Sequence, residues 1–125
     1  MKPWLVLGAA SLLAAAAAPS PSAMSAGERA FARCVACHSI EPGEDTPAGP
    51  TLHHVVGRPI AGRPGFDYSP AMRRFALEHG RWSPRLLETF LAAPESIVPG
   101  TEMSSEGIAD AAERRALIAW LRRLD

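Results

Sequence analysis

The chain has 125 residues, and its 13 basic side chains balance its 13 acidic ones, so it has no formal net charge at neutral pH. This length suits one domain, and without a run of basic residues we expect no nucleic-acid partner. Aromatic residues make up only 6% of the chain, which also has 10 glycines and 12 prolines. A small domain of this kind buries a modest core, and a large apolar cofactor would supplement it.

The N-terminal 18 residues have the pattern of a secretory signal peptide. Lys2 precedes a mostly apolar run from Trp4 to Ala18, and small residues and prolines follow. As a helix this run would measure roughly 22 Å, which is short of the ~30 Å hydrocarbon core of a membrane. Because Pro19 would directly follow a cut after Ala18, an uncleaved N-terminal anchor is the alternative.

The remaining chain is predicted to be a short linker and one helical domain. Residues 19–24 are rich in Pro, Ser and Ala and are predicted to be the linker. Residues 25–125 then form the folded domain. They contain no repeat and no alternating strand pattern, and helix signals occur four times. The predicted fold class is therefore all-α.

The first two helices have clear start signals. Ser25 and Glu28 have the spacing of a capping box, which opens a helix predicted to run to about Ala36. Ser69, followed directly by a proline, offers an N-cap and a first-turn residue for the second helix. Gly80 can end that helix.

The last two helices follow the same rules. Ser83 also precedes a proline, and the helix it begins must stop near Ala93, because Pro94 disfavours helical geometry in the residue before it. Asp110, with a glutamate three residues later, is predicted to cap a final helix that reaches Leu124. The apolar residues of this helix share one face.

Two long segments rich in Gly and Pro, residues 39–68 and 95–109, are predicted to be loops. Loops of this length are unusual in a compact domain. They need a surface to fold against, which the face of a bound cofactor would provide.

Cys34, Cys37 and His38 form the Cys-x-x-Cys-His pattern of covalent haem attachment. Cysteines at i and i+3 project to the same side, where each sulfur can bond one vinyl group, and the histidine that follows can reach the iron. Three alternatives are weaker. A disulfide ignores His38, a thioredoxin-like pair needs a βαβ context, and a zinc site needs more ligands than this pattern supplies.

The group that occupies the second axial position of the iron distinguishes an electron carrier from a catalyst or gas binder. The candidate ligands are Met72, Met103, His53, His54 and His79. Pro and Gly shape the segment before Met103 into a loop that could direct this methionine inward, although a methionine in a loop is more often core filling than a ligand. The residues alone leave this choice open.

The ordered set of motifs resembles the class I cytochromes c, in particular the mitochondrial-like group and its bacterial relatives. The resemblance covers residues 27–124, and it rests on the haem motif with Gly27 and Phe31 before it, Gly49-Pro50-Thr51-Leu52-His53, Val56-Gly57-Arg58, Pro64-Gly65-Phe66, Tyr68-Ser69, Val98-Pro99-Gly100-Thr101, Met103 and Leu117-Ile118-Ala119-Trp120-Leu121. It implies a small single-haem cytochrome c fold, with three to five helices around one covalently bound haem c.

The resemblance also implies roles for single residues. Cys34 and Cys37 would hold the haem, with His38 and Met103 as its axial ligands. The carbonyl of Pro50 would accept the Nδ1–H of His38 and fix its tautomer.

Further positions follow from the same resemblance. Arg58, Tyr68 and Trp82 would lie near the haem propionates and donate to them; the alternative is an ordinary surface arginine and core aromatics. Gly27 and Trp120, with Phe31, would form the crossing of the first and last helices.

The chain departs from the family pattern at several places. Phe90 and Met72 replace a usual tyrosine and asparagine, which removes polar groups from the haem crevice, and Ser105 replaces an aromatic residue. The lysines that surround the haem edge in the mitochondrial protein are absent, and Glu95, Ser96 and Glu102 occupy comparable places. Docking through a basic ring is therefore in doubt.

The predicted function is that of a periplasmic, monomeric one-electron carrier that is not an enzyme. Its partners would be a reductase or dehydrogenase as donor and an oxidase or other acceptor, with membrane contact only through an uncleaved anchor. The alternatives are a cytochrome subunit of a larger dehydrogenase complex, and a haem enzyme or gas-binding protein whose methionine is displaced.

Overall fold

The structure is a computed structural model that describes residues 3–4, 8–15 and 24–124. Residues 3–4 and 8–15 belong to the predicted signal peptide; the rest of that segment, and residues 19–23 of the predicted linker, lie outside the described residues. No helix in the described part of the chain has both the length and the apolar character of a membrane span. The described elements are α1 (Ala26–Phe31), α2 (Pro70–His79), α3 (Pro84–Ala92), α4 (Pro94–Ile97) and α5 (Ala111–Arg122).

Helices and two isolated β-bridges account for the regular structure of the described residues, with no strand among them. The all-α prediction is therefore confirmed. The bridges join Thr46 to Gly49 and Pro59 to Arg81. The second bridge fixes the middle of the first long loop, at Pro59, beside the turn between α2 and α3.

The predicted N-caps are present in the structure. Ser25 forms the complete capping box, because its hydroxyl accepts from the Glu28 N–H and its own N–H donates to the Glu28 carboxylate. Side chains of Ser69, Ser83 and Asp110 accept backbone N–H bonds at the starts of α2, α3 and α5. These helix starts are fixed by local chemistry.

The first helix is shorter than predicted. It ends at Phe31 instead of about Ala36, and the chain continues in tight turns. The hydrogen bonds change there from i→i−4 to i→i−3, as in the 2.8 Å bond from the Cys34 N–H to the Phe31 carbonyl. This tightening sets the positions of Cys34 and Cys37.

Two further predictions need correction. The last helix ends at Arg122, not at Leu124, and Glu113 bonds Arg33 instead of helping Asp110 to cap it. The short helix α4 begins one residue before the predicted loop 95–109 and takes up the first three residues of that loop. Pro94, which ends α3, is also the first residue of α4, a position that proline favours.

The crossing of α1 and α5 is the closest helix contact. A Cβ atom on Gly27 would lie 2.2 Å from Trp120 Cβ and 2.5 Å from the Ala116 carbonyl oxygen, so only glycine fits. The rings of Phe31 and Trp120 pack with centroids 5.3 Å apart. The predicted crossing of the first and last helices is confirmed.

The loop of residues 39–68 is held by polar side chains instead of a regular backbone ladder. The Thr51 side chain is buried and donates to the Glu41 carbonyl at 2.7 Å. Asp45 accepts the Thr51 N–H at 2.9 Å and pairs with Arg63 through two bonds of 3.1 Å. The Asp45–Arg63 pair joins the first part of the loop to its last part.

Candidate functional site

Cys34, Cys37 and His38 occupy the tight turns that follow α1. The N–H groups of Cys37 and His38 both donate to the Cys34 carbonyl, at 3.1 and 2.9 Å. Cys34 packs against the core, Cys37 is exposed, and neither thiol is bonded to the other. Burial raises the pKa of the Cys34 thiol, whereas the positive charge of Arg33 lowers it. The two thiols thus lie at the boundary between core and solvent.

The imidazole of His38 has one defined hydrogen bond, from Nδ1 to the Pro50 carbonyl at 2.7 Å. Because a carbonyl only accepts, Nδ1 carries the proton, and Nε2 keeps the lone pair that a metal requires. Gly49 permits this arrangement, since a Cβ there would lie 2.7 Å from His38 Cε1.

The surroundings of His38 keep the ring neutral. Burial lowers the pKa of His38, and the nearby positive charge of Arg58 lowers it further, while the Pro50 carbonyl works in the opposite direction. A neutral imidazole with its tautomer fixed is the form that coordinates a metal ion.

Arg58 is the unusual polar group of the site. Its terminal nitrogen donates to the carbonyls of Thr51 at 2.8 Å and His53 at 3.2 Å. Its Nε is buried and has no hydrogen-bond partner. Burial also lowers the pKa of the guanidinium. A buried cation with an unpaired N–H has the chemistry to accept an anionic group.

Tyr68 and Trp82 lie near Arg58, so the structure brings these three predicted residues together. Backbone N–H of Trp82 donates to the Arg58 carbonyl at 3.0 Å, and the buried Trp82 ring packs on Phe90 at 5.0 Å. The Tyr68 hydroxyl accepts the backbone N–H of Arg63 at 3.0 Å. Burial lowers the pKa of Arg58, whereas the nearby Tyr68 raises it.

Two half-buried methionines lie on adjoining segments. Met103 and Met72 both pack against the core. The loop that precedes Met103 touches the start of α2, where a Cβ on Gly100 would lie 3.5 Å from Ala71 Cβ. Thr101 shapes this loop by accepting the Met103 N–H at 3.2 Å.

The three other candidate ligands have contacts of their own. The rings of His53 and His54 meet edge to face with centroids 4.1 Å apart. The exposed ring of His79 stacks on Phe75, also at 4.1 Å.

Sequence reasoning missed the Asp45–Arg63 pair, which links two parts of the loop that supplies Pro50 and Arg58. The Arg63 guanidinium, the Thr51 N–H and the charge of Arg58 hold the pKa of the Asp45 carboxyl below its usual range. Eighteen residues separate the paired side chains, and no motif or periodicity connects them. The pair becomes visible only in the folded structure, where the two side chains meet.

An all-α fold with a Cys-x-x-Cys-His turn, a fixed histidine tautomer and an arginine whose buried Nε lacks a partner defines a class of small proteins that hold a haem covalently. The family model for cytochrome c matches residues 24–125. The chain belongs to the cytochrome c family.

Individual relatives agree with this assignment. The chain is similar to cytochrome c2 of Agrobacterium tumefaciens (strain II Chrys), with 42% identity over 76% of this chain and 86% of that protein. It is also similar to cytochrome c2 of Blastochloris viridis, with 31% identity over 97% of this chain and 93% of that protein. Among solved structures, cytochrome cH from Methylobacterium extorquens matches with a TM-score of 0.71 and 39% identity, over 78% of this chain and 95% of that one. The protein is thus a class I c-type cytochrome, an electron-transfer protein with one covalently bound haem c.

The residues of the site fit this cofactor. His38 presents a free Nε2, Cys34 and Cys37 follow one another across a single turn, and the unpaired Arg58 Nε suits a propionate oxygen. Haem c supplies an iron that changes its charge by one electron.

Proposed function

We propose that this protein is a periplasmic one-electron carrier in which Cys34 and Cys37 bond the haem, and His38 and Met103 are the axial ligands of its iron. With both axial positions filled, no open site remains for substrate or gas, so no side chain acts as an acid or base. The partners we expect are a reductase or dehydrogenase and an oxidase or other acceptor, and we expect the protein to be a monomer.

The observation that carries this proposal is the 2.7 Å hydrogen bond between His38 Nδ1 and the Pro50 carbonyl. It holds the ring in one orientation directly after the two cysteines and leaves the proton on Nδ1, so that Nε2 keeps its lone pair. Burial keeps the ring neutral by lowering the pKa of His38. A ligand held in this way need not move when the oxidation state changes, which favours rapid electron exchange.

Other residues are proposed to control the polarity of the crevice. Arg58 and Tyr68, with the indole of Trp82, would donate to the propionates and keep their charges inside the protein. Phe90 is buried and Met72 packs against the core, and we expect these two apolar side chains to keep the haem crevice dry. The axial methionine raises the reduction potential relative to histidine.

Absorption spectra of ferric holoprotein test the ligand assignment. We expect a methionine–iron charge-transfer band in the wild type, its loss in Met103→Ala and its retention in Met72→Ala. The second variant is the matched control, because Met72 is also half-buried against the core. Retention of the band in Met103→Ala and its loss in Met72→Ala would reverse the assignment.

Carbon monoxide separates the carrier from a gas-binding protein. With Met103 on the iron, the ferrous wild type should bind carbon monoxide slowly or not at all at neutral pH, whereas Met103→Ala should bind it rapidly. Rapid binding by the wild type would contradict the carrier function.

A further inference from the structure

Basic and acidic side chains are segregated along the folded chain. Residues 58–85 contain six arginines and only two acidic residues, Asp67 and Glu78. Residues 86–113 contain six acidic residues and no lysine or arginine. Because the segment with Met103 is the acidic one, the basic region lies on a different part of the chain, around α2 and the start of α3.

An open groove of about 380 Å³ lies in this basic region, where the turn after α2 meets the first turns of α3. We call it the α2–α3 groove. Its lining consists of basic and hydroxyl side chains with one leucine: His79, Arg81, Ser83, Arg85, Leu86 and Thr89.

The two arginines of the groove present their charges to solvent. Arg81 is exposed and is oriented by a 3.0 Å bond from its guanidinium to the Gly57 carbonyl. Arg85 is exposed in the first turn of α3. Among the described residues neither arginine forms an ion pair, and Glu78 near the rim contacts His79 instead, at 3.9 Å.

The helix that borders the groove adds to its positive potential. Ser83, Arg85 and Leu86 belong to the N-terminal end of the nine-residue α3, which carries the positive end of the helix dipole. Ser83 already accepts the Leu86 N–H at 3.0 Å. Attraction of an anion in the groove would therefore depend on the two guanidinium groups more than on free backbone N–H groups.

We propose that the α2–α3 groove is a docking site for carboxylate side chains on the surface of an acidic partner protein. Guanidinium groups bind carboxylates through two parallel hydrogen bonds, and arginine is enriched at protein interfaces where lysine is depleted. The groove is open and too shallow to enclose a small ligand, which a binding pocket would do. Binding to a membrane surface would need a broader apolar face than the single Leu86 provides.

A chain of ring contacts links the groove to the interior. His79 lies on Phe75 at 4.1 Å, Phe75 packs on Trp82 at 5.8 Å, and Trp82 packs on Phe90 at 5.0 Å. A partner docked here would thus lie beside Trp82, which we place near the propionates. The inference that this partner exchanges electrons rests on the proposed function. The docking itself does not depend on that function.

The test uses the ferrous holoprotein and a short poly-L-glutamate peptide as the acidic probe. Titration at low ionic strength should shift the backbone amide signals of residues 79–89 most. Arg85→Gln should weaken peptide affinity about three- to tenfold, as expected for loss of one or two surface charge contacts. Arg122→Gln on α5 removes the same charge elsewhere and should leave the affinity near that of the wild type.

Two more variants keep the result decisive. Arg85→Lys preserves the charge but not the paired hydrogen bonds, so its affinity should lie between those of the wild type and Arg85→Gln. Arg81→Gln should weaken binding to a similar extent, with amide spectra of the free variant as a check of its fold.

Three outcomes would overturn the proposal. They are equal weakening by Arg85→Gln and Arg122→Gln, shifts spread over the surface, or an Arg85-dependent binding to phosphatidylglycerol vesicles in place of the peptide. The absorption spectrum of the same sample reports on haem ligation separately, so a failure of docking is distinguishable from a failure of the proposed function.

Discussion

The α1–α5 crossing and the loop of residues 39–68 are stabilised in different ways. At the crossing, Gly27 brings two helices into direct contact, and Phe31 and Trp120 pack beside it. In the loop, Asp45 and Thr51 form hydrogen bonds that replace a backbone ladder. Packing at the crossing needs protein atoms alone, whereas the loop supplies Pro50 and Arg58 to the proposed haem site. The two regions should therefore respond differently to the loss of haem, to added atoms and to pH.

Removal of the attachment sites should have the largest effect. The Cys34→Ala/Cys37→Ala variant, purified without haem, should be largely unfolded, because the cofactor completes a small core. Circular dichroism and thermal melting would measure this. Met103→Ala is the matched control, since it should keep the covalent haem and a cooperative transition. A cooperative transition in the haem-free double variant would refute the expectation.

Gly27→Ala should break the crossing while it leaves the loop intact. The added Cβ would overlap Trp120 and the Ala116 carbonyl, and overpacking of this kind should lower the free energy of unfolding by ~3 kcal/mol. Denaturant titration provides the value.

Gly43→Ala is the control for this substitution. A Cβ on Gly43 meets no atom within 4 Å, but its φ of 72° is unfavourable for alanine, which should cost about 1 kcal/mol. Equal losses in the two variants would mean that close approach at Gly27 is unimportant.

The loop should be more sensitive to acid than the crossing. Pairing with Arg63 lowers the pKa of the Asp45 carboxyl in the folded protein below its value in the unfolded chain. The pair therefore contributes its full stability above the unfolded pKa, and this contribution is lost as pH falls through the lower folded pKa.

Asp45→Asn should accordingly be less stable than the wild type at neutral pH, and the difference should shrink on acidification. Melting temperatures between neutral and acidic pH provide the comparison. Asp67→Asn is the control, because Asp67 is fully exposed and its pair with Arg73 should contribute little. A difference that grows toward acidic pH would have the wrong sign for this account.

The smallest effect is expected for the ion pair beside the crossing. Arg33 pairs with Glu113 at 2.6 Å, but the Arg33 side chain is 57% exposed. Glu113→Gln should lower the melting temperature only slightly, and high salt should remove the difference, because exposed pairs are screened. A large loss that persists in salt would mean that charge, and not packing, holds the crossing.

The helix starts could be predicted from sequence because each depends on a side chain two or three residues from the N–H group that it caps. Ser25, Ser69, Ser83 and Asp110 all act in this way. The early end of α1 could not be predicted in this way, because the bonds tighten only around the haem motif. Pro94 predicts a helix stop, and in the structure the same residue also begins α4.

The candidate site divides in a similar manner. The haem motif is contiguous in sequence, so roles for Cys34, Cys37 and His38 could be proposed from their spacing alone. The Asp45–Arg63 pair and the unpaired Arg58 Nε depend on how a long loop closes, for which the sequence offers no period. The assignment of Met103 over Met72 relies on family resemblance, since both methionines pack against the core, and it stays a prediction.

The most direct test of the central claim is the mass of the exported protein, combined with titration of its thiols, after expression in cells that mature c-type cytochromes. We expect a coloured protein whose mass equals that of the polypeptide, after any removal of the signal peptide, plus one haem, with no free thiol at Cys34 or Cys37. A colourless protein with two reactive thiols would contradict it.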